Sequence, residues 1–101
     1  MKLSPECAAK ISSYVGFALR AGKVVRGTDN ILASNKRMLV IISSDLKENA
    51  SKKLEAHAEK NGWHTVTVDD MQAILPLTGV KAIGIREKNL AEAILKQVNT
   101  N

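Results

Sequence analysis

Aromatic residues are scarce in this chain, and almost nothing in it can form a cross-link or a metal site. Tyr14, Phe17 and Trp63 are its only aromatics. A core must therefore be assembled from Ile, Leu, Val, Ala and Met, and base recognition dominated by stacking is not expected. A single cysteine, Cys7, excludes an intramolecular disulfide, and two histidines without further cysteines exclude a conventional structural zinc site. We expect a reducing compartment, no metal and no other cofactor. Met1 to Glu6 holds no apolar signal core, and the longest apolar run, Met38 to Ile42, is far too short to cross a bilayer. A cytoplasmic protein with no membrane partner follows as the expectation.

Catalytic motifs are also missing. Gly62, Gly79 and Gly84 form no glycine-rich turn between a strand and a helix, and no Lys-Ser or Lys-Thr follows glycines as in a P-loop. Cys7 falls in a first helical turn, where a thiol can acidify, but it has no neighbouring base and reads as a buried, inert cysteine. His57 and His64 read as structural or solvent-facing. Asp69-Asp70 suggests paired carboxylates, yet a helix-capping role for Asp69 needs fewer assumptions. An enzyme is not expected.

What the chain has is enough apolar content for one core and an excess of positive charge. Its 101 residues, 45% of them apolar, suit one domain spanning 1–101. Fifteen Lys and Arg against ten Asp and Glu give a net charge of +5. Lys10, Arg20, Lys23, Arg26, Lys36 and Arg37 are opposed only by Asp29 within residues 10–37. One end of the fold should then carry a positive field suited to a polyanion such as RNA. The alternative is an ordinary solvated surface kept soluble by charge.

Periodicity divides the chain into alternating elements. Ser4-Pro5-Glu6 opens a helix over Pro5 to Ala21, with Ile11, Val15 and Leu19 on one face and Gly22 as the stop. Lys23 to Arg26 suits a brief strand, after which Thr28 caps a short helix ending near Asn35. Met38 to Ile42 reads as a central strand covered on both faces. Asp45 and Glu48 form a capping box for a helix that Gly62 ends. His64 to Val68 is the next strand, Asp69 starts a short helix to about Leu75, and Lys81 to Arg86 is the last strand. A final helix runs from Lys88 to Val98, and Asn99 to Asn101 fray. This order predicts an α/β fold, a three-layer α/β/α sandwich around a mixed sheet of about four strands.

The segment Arg20-Ala21-Gly22-Lys23-Val24-Val25-Arg26-Gly27-Thr28-Asp29-Asn30, with the strand Leu39-Val40-Ile41-Ile42 and then Ser44-Asp45, resembles the ribosomal kink-turn RNA-binding superfamily. That group includes the archaeal kink-turn protein and the eukaryotic large-subunit protein thirty-e, and the similarity extends from about Pro5 to Val98. The bacterial YlxQ-type ribosomal-protein-like branch is the nearest in character. The resemblance implies a monomeric protein that binds structured RNA, including ribosomal RNA, beside ribosomal or translation proteins. In the superfamily a Gly-x-Asn-Glu-x-x-Lys pattern at the second helix reaches the sheared G·A pairs of a kink-turn, and the loop before the last strand grips an extruded nucleotide. Carried over, Gly27, Thr28, Asp29 and Asn30 take the helix-start positions, and Leu77, Thr78, Gly79 and Val80 lie in the loop. Asp29 stands where asparagine is usual, Asn30 where glutamate is usual and Ala33 where lysine is usual. An aspartate cannot donate to a base edge. Lys23, Arg26, Lys36 and Arg37 are expected to flank the site and hold phosphates.

Two competing functions remain at this stage. One is a protein-interaction module that keeps the fold without kink-turn recognition, using the surface around Leu77 and Val80; the substitutions at Asp29, Asn30 and Ala33 favour it. The other is an accessory domain of an RNA-modifying enzyme, although the chain is too short to hold a methyl-donor site of its own.

Overall fold

The structure is a computed structural model describing all 101 residues. Its elements run α1 (Pro5–Arg20), β1 (Val24–Arg26), α2 (Thr28–Leu32), β2 (Leu39–Ser43), α3 (Glu48–Asn61), β3 (Thr65–Val68), β4 (Ala82–Ile85) and α4 (Lys88–Asn99), with a 3-10 turn at Met71–Ala73. The sheet order is β1-β4-β2-β3. β4 pairs antiparallel with both β1 and β2, while β2 pairs parallel with β3, so the sheet is mixed as expected.

β2 explains why this chain forms three layers. All five of its residues are buried, and a strand alternates its side chains between faces. Leu39 and Ile41 join the larger core beneath α1 and α4, whereas Val40 and Ile42 join the smaller one beneath α2 and α3. Burying each such aliphatic side chain contributes about 1.5–3 kcal/mol. Only a sheet with helices on both faces can accommodate so continuous an apolar run.

Helix ends agree with the sequence reading at some places and depart from it at others. Ser4 caps α1 by accepting from the Cys7 amide at 3.2 Å. Gly62 closes α3 in the left-handed region, with φ of 72°. Thr28, however, is the first residue of α2 and not its cap; Gly27 holds that place at a φ of 87°, and no side chain caps the helix. α2 also stops at Leu32 and does not reach Asn35. Asp45 and Glu48 make no capping box, because Lys47 precedes α3 without a side-chain bond and Asp45 is engaged elsewhere. Asp69 caps nothing: its carboxylate meets the Met1 amino group at 3.1 Å, and the expected helix to Leu75 is one 3-10 turn. The expected fraying at the C-terminal end is not seen. α4 continues to Asn99, and Asn101 donates to the Lys2 carbonyl and accepts from the Ser4 amide.

Cys7 is buried between α1 and α4, and its thiol donates to the Gln97 carbonyl at 3.3 Å. His57 sits beneath α2, with Nε2 at 2.7 Å from the Ser34 carbonyl and its ring edge-on to Trp63 at 5.1 Å. Both serve packing. No helix is long and apolar enough to cross a membrane.

Candidate nucleic-acid interface

β1, β2 and β3 all finish at the end of the sheet where β4 begins, so four chain segments that are distant in sequence meet there. We call this the Gly27 end. Gly27 turns the chain sharply from β1 into α2, and its amide donates to the Ala82 carbonyl at 2.9 Å, tying the turn to the first residue of β4. A positive φ with no side chain suits glycine at this turn. Asn30, on the exposed side of α2, donates through Nδ2 to the Arg26 carbonyl at 2.9 Å. Its Oδ1 makes no bond, and the Arg26 and Asp29 side chains are exposed and unpaired.

The segment leaving β2 lies alongside. The Ser43 amide donates to the Lys81 carbonyl, and the Ser44 amide donates to the Val68 carbonyl, both at 2.8 Å. Asp45 then closes a clasp by accepting from the Ser43 hydroxyl and from Lys81 Nζ, the latter at 2.6 Å. The Lys81 bond, followed by the Ser43 bond, holds the Asp45 carboxyl below the usual carboxylate range. The clasp fixes the entry to α3 against the entry to β4.

The loop Leu75 to Val80 completes this end. Leu75 is buried, and Leu77 and Val80 are half-buried against the larger core, so its apolar residues are covered by the protein itself. Thr78 and Gly79 are exposed. Of the expected site residues, the fold thus brings Arg26, Gly27, Thr28, Asp29 and Asn30 to the same end as Leu77, Thr78, Gly79 and Val80.

Lys23, Lys36 and Arg37 do not join them. The Lys23 carbonyl accepts from the Arg86 amide at the far end of β4, and Lys36 and Arg37 lead into the start of β2. β2 alone separates the two ends by about 13 Å at the usual rise per residue. β1 leads from the Lys23 side to Gly27, and α2 with the segment after it leads back to the start of β2, so a basic stretch continuous in sequence is divided in space.

Charge divides with it. The Gly27 end carries Arg26, Lys47, Lys81, Lys2 and the Met1 amino group among Asp29, Asp45, Glu48, Asp69 and Asp70, with no positive excess. At the opposite end Arg20, Lys23, Lys36, Arg37, Lys60, Arg86 and Lys88 outnumber Glu59, Glu87 and Glu92, and Glu87 is occupied in capping α4 through the Leu90 amide at 2.6 Å. Lys47 and Lys81 went unnoticed in the sequence because they lie outside the basic stretch. Their signal is positional: one follows β2 and the other precedes β4, so the topology delivers both to the Gly27 end.

Comparison with known proteins agrees with this architecture. Solved structures share the fold, two of them as follows. One is a protein of unknown function from Bacillus halodurans C, with a TM-score of 0.80 and 23% identity, over 90% of this chain and 98% of that one. The other is a Giardia lamblia 15.5kD RNA binding protein, with a TM-score of 0.70 and 18% identity, over 94% of this chain and 87% of that one. No curated protein matches the sequence. The family model described as ribosomal protein L7Ae/L30e/S12e/Gadd45 matches residues 9–99, nearly the whole chain, and the protein belongs to that family.

Proposed function

We propose that this protein binds structured RNA of the kink-turn kind in a ribosomal or translational setting, as a non-enzymatic component, through its Gly27 end. The family match over residues 9–99 carries the reading. The arrival of Arg26 to Asn30 and the Leu77 to Val80 loop at the same end supports it, since the two segments are far apart in sequence and the topology alone unites them. In this reading Arg26, Lys47 and Lys81 contact phosphates, which position the RNA without reading its sequence. Asn30 Oδ1 and the exposed backbone at Thr78 and Gly79 face base edges or an unstacked nucleotide. Lys23, Lys36 and Arg37 take part only with an RNA long enough to reach past the sheet.

A second reading, a protein-interaction module that has given up kink-turn recognition, is favoured by Asp29 and Asp70, aspartates of the Gly27 end without a cationic partner, which repel a phosphate backbone. A labelled kink-turn oligonucleotide and a straight duplex of equal length, each titrated at several salt concentrations, separate the two. The RNA reading expects tighter binding to the kink-turn and an affinity that falls steadily with salt. Equal affinity for both RNAs, or none, favours the interaction module.

A further inference from the structure

At the end opposite Gly27, the chain leaves a groove of about 240 Å³ between α4 and the first residues of β2. Lys88, Ala91, Glu92 and Leu95 form one stripe of α4 along it, at spacings of three, four and seven that share a helix face. Met38, Leu39 and Ile85 line it from the sheet, and Trp63 from the end of α3. Arg37, Arg86 and Lys88 surround this apolar lining, with Glu92 as the sole acid.

Arg86 is the informative residue. Its side chain is half-buried yet makes no hydrogen bond or ion pair within the chain, as the protein's three ion pairs are Met1–Asp69, Glu48–Lys52 and Asp45–Lys81. Arg37 and Lys88 are equally unpaired. A partly desolvated guanidinium has a rigid fork of donors matched to a carboxylate or phosphate, and here it borders an apolar slot.

We propose that this groove docks an acidic protein segment that inserts an aliphatic side chain between Leu95 and Met38 while its carboxylates meet Arg37, Arg86 and Lys88. Charge complementarity selects an anionic partner, and the lining selects its class. A nucleobase entering the slot would press its polar edges against the apolar lining, and only the rim groups Arg37, His64, Arg86, Lys88 and Glu92 could replace the water it loses. Nor does Trp63 offer a stacking platform, being 8% exposed with its ring engaged by His57. An aliphatic side chain has no such loss. The volume, below the roughly 300–1,000 Å³ of typical small-molecule sites, suits one anchor residue. A second copy of the chain would bring the same basic rim against itself across a two-fold axis.

The site lies apart from the end proposed for RNA, and its test reads different residues. The uniformly 15N-labelled protein is titrated with a twelve-residue glutamate-rich peptide carrying two leucines four residues apart, with the same peptide bearing serines in their place, and with a twelve-nucleotide uridine RNA. The leucine peptide is expected to shift the amides of Gly62, His64, Arg86 and Ala91, and the serine peptide to bind about tenfold more weakly as leucine burial is lost. Arg86→Gln should weaken the leucine peptide about fivefold, in the range of a charge-assisted hydrogen bond, and leave kink-turn binding unchanged. The proposal is overturned if the leucine peptide does not bind, if both peptides bind alike, or if the uridine RNA moves these amides more strongly than the peptide does. Amides that shift with protein concentration alone assign the groove to a second copy and overturn it as well.

Discussion

The two ends of the sheet are built from the same strands and treat their polar groups in opposite ways. At the Gly27 end several groups are tied to another segment, Gly27 to Ala82, Ser43 and Asp45 to Lys81, Ser44 to Val68 and Met1 to Asp69, while Arg26 and Asp29 stay unpaired. At the Arg86 end no cation has an acidic partner; Arg20 lies over the Phe17 ring, and Arg37, Arg86 and Lys88 border an apolar groove. The difference teaches that a positive net charge need not gather where a fold brings its separate segments together. Here the Gly27 end is mixed in charge, while the positive excess gathers some 13 Å or more away, at roughly the length of a strand.

The strongest test of this contrast restores the family residues at the Gly27 end. The combined variant Asp29→Asn, Asn30→Glu and Ala33→Lys removes one negative charge, adds another beside it and supplies a lysine one turn on. It should tighten kink-turn binding about a hundredfold, as each well-made base contact is worth roughly 1–3 kcal/mol. Fluorescence anisotropy with the kink-turn oligonucleotide measures it, and an unchanged affinity would detach that end from RNA. The Asn30 bond to the Arg26 carbonyl is lost in this variant, so thermal unfolding should accompany the measurement.

Next in size is a packing change that bears on the opposite end. Gly84 lies at the middle of the sheet between Val25 and Val40, and a Cβ there would come within 2.2 Å of the Met38 sulfur. Gly84→Ala should lower stability by about 1–3 kcal/mol, as overpacking does, because Met38 must leave its place beside the groove. Urea unfolding should show a lower midpoint, and adding Met38→Ala should recover part of it.

A smaller effect separates the ends by salt dependence. Arg26→Ala should reduce the slope of log affinity against log salt for the kink-turn by about one, whereas Arg86→Ala should leave it unaltered. The reverse pattern would place RNA on the basic end.

Smallest is the Asp45 clasp. Its carboxyl is held low in the folded state, mainly by Lys81. A depressed folded value contributes stability above the ordinary carboxylate pKa of about 3.9 that is lost as pH falls through the folded value. Both groups are well exposed, so the change in unfolding should be slight. The titration midpoint of Asp45, followed by carboxyl-carbon NMR, should rise in Lys81→Met; a midpoint that stays put would show that the clasp does not hold the loop.

Much of the fold was legible because each element's pattern is local. The apolar run of β2, the Ile11-Val15 spacing of α1 and the stop at Gly62 depend on nearby residues. The errors share a cause too. Asp45 and Asp69 each precede a helix, and so look like caps, but found partners 36 and 68 residues away in Lys81 and Met1. Asn101 departs from the expected fraying for the same reason, its partners being Lys2 and Ser4. The candidate site was legible only as segments. Gly27 to Asn30 and the Leu77 to Val80 loop are legible one by one, while the division of the basic residues between two ends depends on β1 running to Gly27 and on α2 and the segment after it running back to β2.

Cys7 gives the protein a native reporter of its own breathing. As the chain's single thiol, sealed between α1 and α4, it can react with a disulfide reagent only when those helices part. If they separate only on global unfolding, the labelling rate in the fast-closing regime follows the full unfolding equilibrium; if α4 peels away first, labelling runs ahead of unfolding. A peptide seated along the Leu95 stripe would hold α4 down and slow the reaction, so one sulfur at one end of that helix can sense what binds at the other.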